Sequence, residues 1–299
     1  MQQAGPMRLR DVALALLVVT IWGANFVVIE VGLRGMPPLF FTTLRFLFAA
    51  LPLALFVRRP QVPFHLLAAW GLAQFAVQFF LLFTGIALGM PPGLASLVIQ
   101  LQAFFTIGLA RVLLGEHARA NQLLGAAIAL AGMGVVAAHM DQPGTLLGLA
   151  LVIASGVSWA CANIVVKRVG RADALGLAVW GSVVACVPLA VATVAVEGWP
   201  AVHATLRGMG WASWAAVLFQ SYPNTLLGFG VWSLLMRRYT AAQVAPYSLL
   251  VPVVGMGCAA LVLGEPLPGW KFVAGALVLG GLALNQLPPG VVRRLARAG

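Results

Sequence analysis

The chain has 299 residues, of which 62% are hydrophobic and only 8% charged. So few charges cannot cover so much apolar surface in water, which excludes a water-soluble globule, and intrinsic disorder needs the opposite composition. The net charge is +11, yet the basic residues are scattered between apolar runs and form no patch for nucleic acid. The expected surroundings are a lipid bilayer, with no nucleic-acid partner.

A bilayer core takes about 20 apolar residues per helix. Runs of that order predict ten spans, numbered in chain order, at 11–32, 39–57, 66–88, 91–114, 122–139, 146–166, 173–196, 211–236, 241–263 and 270–287. The expected fold class is therefore all-α, a polytopic membrane protein of ten transmembrane helices. Span 1 follows Arg8 and Arg10 but is too long and lacks a small-x-small cleavage site, so it reads as a retained helix rather than a signal peptide. The connections are short and rich in turn-formers, such as Met36-Pro37-Pro38 and Met90-Pro91-Pro92, and only 197–210 is longer. No phosphate-binding glycine loop occurs, so ATP hydrolysis is not expected. Cys161, Cys186 and Cys258 lie inside apolar runs, without metal-ligand spacing, and read as small buried hydrophobes.

Alternating sides along these spans collects fourteen Lys and Arg on the side of the N-terminus and three (Arg34, Arg207, Lys271) on the other, with Arg45 inside span 2. Positive charge stays on the cytoplasmic side, so both termini are expected in the cytoplasm.

The sequence also repeats. Residues 112–116 read Val-Leu-Leu-Gly-Glu and 261–265 read Leu-Val-Leu-Gly-Glu; Ala24-Asn25-Phe26-Val27-Val28 matches Ala162-Asn163-Ile164-Val165-Val166, with Trp22 and Trp159 just before them. These pairs divide the chain into a first repeat at 11–139 and a second at 146–287, five spans each. Five is odd, so the second copy enters the membrane from the opposite face. Inverted repeats of this kind mark secondary transporters, whose solute site lies near the midplane between the halves.

In these features the chain resembles the drug/metabolite transporter superfamily, in particular its ten-helix EamA-type members. The resemblance is carried by Trp22-Gly23-Ala24-Asn25-Phe26, Arg45-Phe46 and the endings Gly115-Glu116 and Gly264-Glu265, which read as structural repeat motifs. It covers residues 10–290, and among subgroups the chain is most similar to bacterial amino-acid exporters of the YddG kind. The resemblance implies an exporter of amino acids or other small metabolites in the cytoplasmic membrane. One departure stands out: family members carry a proline about 13 residues before each glutamate, which Pro252 supplies in the second half while Ala103 replaces it in the first.

Polar side chains at membrane depth are costly and face a partner or a cavity. The cavity candidates are Trp22, Asn25, Gln74, Gln78, Gln100, Trp159, Asn163, Trp180, Tyr222, Asn224, Tyr247 and Ser248. Gln74 and Gln78 share a helix face, whereas Gln100 and Gln102 point about 200° apart, so one of that pair faces the cavity. Gln102 and Gln220 are further amides at membrane depth. Trp70, Trp199, Trp211, Trp214 and Trp270 fall near span ends and read as interfacial anchors. Pro223, Pro246 and Pro252 interrupt spans 8 and 9 and are candidate hinges. The small residues of spans 5 and 10 suit close helix packing rather than a site.

An aromatic, amide-lined, uncharged cavity suits a zwitterionic or neutral solute with an apolar side chain. No carboxylate lies at mid-depth, and Glu30 sits at the outer end of span 1. Arg45 is left to pair with a carboxylate or helix end, or to snorkel. All four histidines (His65, His117, His139, His203) fall at or beyond span ends, so no catalytic residue, metal or cofactor is expected. The expected function is amino-acid export by alternating access, in a chain whose two halves permit a functional monomer. The competing reading is another solute on the same scaffold: a sugar nucleotide, a vitamin or a cationic drug.

Overall fold

A computed structural model describes residues 7–51, 53–115, 120–139, 143–169, 172–239, 244, 247–248 and 250–286. Glu116 and Pro246 lie outside the described residues, as do Arg119, Arg171 and the arginines near the C-terminus. Regular structure among the described residues is helical throughout.

Span 1 is one helix, Leu9–Leu33. Span 2 is Pro38–Ala50, followed by a single turn at Leu53–Leu55. Span 3 runs Phe64–Ala87 and span 4 Pro92–Leu114. Span 5 is Ala120–Ala138 and span 6 Pro143–Val169. Span 7 covers Ala174–Ala192 and continues as a π turn, Thr193–Glu197. Span 8 comprises Trp211–Phe219, a π turn at Gln220–Leu227, and Gly228–Arg238. The described helix of span 9 is Leu250–Leu263, and span 10 is Gly269–Gln286. The long connection between spans 7 and 8 is not a loop: Gly198, at φ +81°, turns the chain, and Pro200 opens a short helix, Trp199–Gly208. Six helical stretches are long and apolar enough to cross a bilayer outright.

The packing repeats between the halves. Span 1 lies on span 9 as span 6 lies on span 4; span 3 lies on span 6 as span 8 lies on span 1; span 3 lies on span 7 as span 8 lies on span 2. Spans 2 and 7, 4 and 9, and 5 and 10 each pair with their own equivalent. Exchanging the halves leaves these pairings unchanged, which is what a two-fold relation between five-span units produces. With an odd number of crossings per unit, the two run oppositely through the bilayer.

The surface is inside-out relative to a soluble protein. Leu261 is 89% exposed and Val112 78%, and Val187, Val191, Leu130 and Phe272 also point outward. Such a surface is stable only against lipid. Cys161 is exposed rather than buried.

Two glycine pairs show why the repeated sequences recur. Gly115 and Gly264 end spans 4 and 9 in the left-handed conformation, at φ +67° and +69°, where a side chain would be strained. After Gly264, the amide of Glu265 closes back on Ala259 O at 3.2 Å, satisfying a carbonyl of the last turn. A Cβ on Gly132 would lie 3.0 Å from Leu277 Cβ, and one on Gly281 3.1 Å from Ala129 N. Spans 5 and 10 therefore touch backbone to backbone, and their small residues serve this contact within the chain.

Candidate functional site

Between the halves lies a cavity of about 390 Å³, within the range of small-molecule sites. Its walls come from spans 1–4 of the first half and spans 6–9 of the second; no described residue of spans 5 and 10 lines it.

The third span of each half is interrupted in the same way. A π turn at Leu72–Val77 interrupts span 3, and one at Gln220–Leu227 interrupts span 8. Such turns leave carbonyls without their usual α-helical donors. In span 3, Ser158 donates to Ala73 O at 2.7 Å and Ser155 to Gln78 O at 2.8 Å. In span 8, Pro223 has no N–H to give, and the Thr225 hydroxyl donates to Gln220 O at 2.8 Å. At each π turn two amides four residues apart meet. Gln74 Nε2 donates to Gln78 Oε1 at 2.6 Å, and Asn224 Nδ2 to Gln220 Oε1 at 3.4 Å.

The cavity gathers most of the candidates. Trp22, Asn25, Gln74, Gln78, Gln100, Trp159, Asn163, Asn224 and Ser248 all line it. Trp22 Nε1 donates to Asn224 O at 3.2 Å, and its ring lies 5.2 Å from Trp232 and 5.7 Å from Phe229. Asn163 Nδ2 donates to Gln102 Oε1 at 2.9 Å and to the Thr106 hydroxyl at 3.0 Å.

Three candidates lie elsewhere. Trp180 is absent from the lining; its Nε1 donates to Val57 O at 2.9 Å, which fastens span 7 to the chain after span 2. Tyr222 is 36% exposed, because the π turn that aims Asn224 inward aims it outward. Tyr247 packs among hydrophobic side chains and is not among the residues that line the cavity. Pro223 does sit in a helix interruption, and Pro252 lies within the described helix Leu250–Leu263.

Other expectations change at the cavity wall. Gln100 and Gln102 both line it. The chain winds tightly as a 3-10 turn at Ile99–Leu101; at three residues per turn, two steps rotate a side chain about 240° instead of 200° and bring the pair closer on one side. Trp70 is 6% exposed and lines the cavity rather than the membrane interface. Phe79 and Phe229 also line it, and no sequence signal separates them from other apolar residues of their spans.

The largest correction concerns charge. The cavity is not neutral, because Arg45 is fully buried in its wall. It neither snorkels nor meets a carboxylate among the described residues. Its Nη1 donates to Gln220 Oε1 at 2.5 Å and its Nη2 to the Thr225 hydroxyl at 3.1 Å. The guanidinium carbon lies 3.7 Å from the centroid of the Phe79 ring and 5.0 Å from that of Phe46. A buried ion costs several kcal/mol in lost hydration. Two hydrogen bonds to a charge, at about 1.5–3 kcal/mol each, and a desolvated cation–π contact of about 2 kcal/mol offset that cost. Span 8 thus holds the charge of span 2 with neutral groups only.

The charged groups at the span ends hold helices together. Glu197 accepts from the backbone amides of Leu39 and Phe40 at 2.8 and 3.0 Å, placing a carboxylate at the positive end of span 2. Glu265 accepts from the Gly93 amide at 3.1 Å at the start of span 4, and pairs with Lys271 at 2.6 Å. Asp11 accepts from Tyr239 Oη at 2.7 Å and from Arg238 at 3.0 Å, joining one end of span 1 to the end of span 8.

The pattern of the EamA-like transporter family matches residues 9–138 and again residues 146–286. The chain belongs to this family. Its two matches cover the halves that the packing relates. Among curated relatives, a "Probable amino-acid metabolite efflux pump" of Escherichia coli (strain K12) is 41% identical over 285 residues, 93% of this chain and 95% of that protein. One of the same name from Salmonella typhimurium is 41% identical over 297 residues, 97% and 99% of the two chains. A "Probable terminal-alkyne amino-acid exporter" of Streptantibioticus cattleyicolor is 29% identical and covers 91% of each chain. A crystal structure of a protein 20% identical superposes with a TM-score of 0.65 over 97% of this chain and 99% of that one, a likeness of fold. The protein is a membrane transporter of this family.

Proposed function

We propose that the protein exports amino acids and related small metabolites across the bacterial cytoplasmic membrane by alternating access. The observation that carries this reading is the cavity at the seam of the halves, walled by both and lined with amides and tryptophans. The names of the relatives point to the same solutes. The two repeats, 11–139 and 146–287, act as rigid partners that open the cavity to one side and then the other. Trp22, Asn25, Gln74, Gln78, Gln100, Trp159, Asn163, Asn224 and Ser248 form the solute site. The π turns of spans 3 and 8 serve as its hinges, Pro223 among them.

The excess of Lys and Arg on one side puts both termini in the cytoplasm. One chain holds both halves of the pathway, so a monomer suffices. The work done is transport, and no residue is assigned a catalytic role. Binding to the folded protein raises its apparent stability. A thermal-shift panel of amino acids, nucleotide sugars, vitamins and quaternary cations in detergent tests the reading. A rise for amino acids supports it; a rise confined to another class replaces it.

A further inference from the structure

Among the described residues, four buried polar atoms on or just behind the cavity wall have no hydrogen-bond partner: Arg45 Nε, Gln220 Nε2, Asn25 Oδ1 and Asn224 Oδ1. Arg45, Asn25 and Asn224 line the cavity, and Gln220 bonds both Arg45 and Asn224. Buried polar groups are nearly always paired, so four orphans in one place call for an explanation. Two of the four are donors, beside a positive charge, and two are carbonyl acceptors. The bond from Arg45 to Gln220 Oε1 fixes which end of that amide is the donor.

We propose that this cluster is the head-group subsite of the transport cavity, with Arg45, backed by Gln220, receiving a solute carboxylate and the side-chain oxygens of Asn25 and Asn224 receiving its neighbouring ammonium. The proposal deepens the export reading and rests on it. A carboxylate only accepts and an ammonium only donates, so an α-amino acid head group supplies both kinds of missing partner at once. A phosphate fits less well, since two carbonyl oxygens would face an acceptor-only dianion. A quaternary cation has no N–H to donate and would meet the guanidinium. A protein carboxylate beside Arg45 would compete with the solute; neutral groups and the Phe79 face instead hold the charge without a countercharge. The subsite thus demands both charged groups and leaves the side chain to the aromatic wall.

The test is counterflow in proteoliposomes. Wild-type protein is assayed with each ¹⁴C-labelled L-amino acid of neutral side chain, and the one carried fastest is competed with its own carboxamide and its own decarboxylated amine. The expected result is that both analogues compete at least about tenfold more weakly than the parent. Arg45→Met should then weaken the parent by about 10–100-fold, to the level of the carboxamide, while the carboxamide is unaffected; Arg45→Lys should recover part of the loss. Equal competition by parent, carboxamide and amine overturns the subsite and leaves the export reading standing, as does unchanged affinity in Arg45→Met. No amino acid carried above empty vesicles overturns both. If Arg45→Met does not purify as a monodisperse species, the wild-type analogue series decides alone.

Discussion

The Arg45 guanidinium carbon lies 3.7 Å from the centroid of the Phe79 ring, so a charge of span 2 rests on an aromatic face of span 3. Phe79→Leu keeps the wall apolar but removes the π face. It should destabilise the protein by about 2 kcal/mol, read as a lower Tm in detergent, whereas Phe79→Tyr should stay close to wild type.

Glu265 and Lys271 form a pair at 2.6 Å, with side chains 10% and 5% exposed. Lys271→Met leaves the carboxylate without its countercharge and should cost about 3–5 kcal/mol. Adding Glu265→Gln removes the stranded charge and still offers an oxygen to the Gly93 amide. The double variant should therefore regain most of the lost stability in thermal unfolding.

Gly132 and Gly134 lie on the same helix and should respond oppositely. A Cβ at Gly132 meets Leu277 Cβ at 3.0 Å and Ala274 O at 3.1 Å, whereas one at Gly134 meets nothing within 4 Å. Gly132→Val should cost about 1–3 kcal/mol by overpacking spans 5 and 10. Gly134→Ala should be neutral or stabilise by about 0.5–1 kcal/mol. Thermal unfolding of the two variants checks both signs.

Pro223 helps keep span 8 in its π turn. Pro223→Ala restores a backbone donor and should let the turn rewind toward α geometry. That rotates Gln220 and Thr225 away from Arg45 and removes hydrogen bonds to its charge. Transport should fall by about tenfold or more, measured as the initial rate per mole of reconstituted protein, with the protein still folded.

The overall architecture was legible because lipid writes a strong pattern: long apolar runs, lysine and arginine held to one side, and Leu-Gly-Glu at the ends of spans 4 and 9. Most inward-facing amides could be named for the same reason, since Asn25 or Gln78 at membrane depth needs a partner. What stayed hidden depends on local winding. The π turns of spans 3 and 8 and the 3-10 turn at Ile99–Leu101 shift side chains around their helices. These turns send Tyr222 outward and bring Gln102 in. Span 3 has no proline to announce its turn. The role of Arg45 required knowing that Gln220 and Thr225, some 180 residues away, hold it without a carboxylate.

The most direct measurement is efflux from proteoliposomes loaded with each of the twenty ¹⁴C-labelled L-amino acids. Release of one or more neutral amino acids faster than from protein-free vesicles, and slowed by Trp22→Ala or Asn25→Ala in correctly folded protein, is the result expected of a solute chamber at the seam. Rates indistinguishable from protein-free vesicles for all twenty would contradict it.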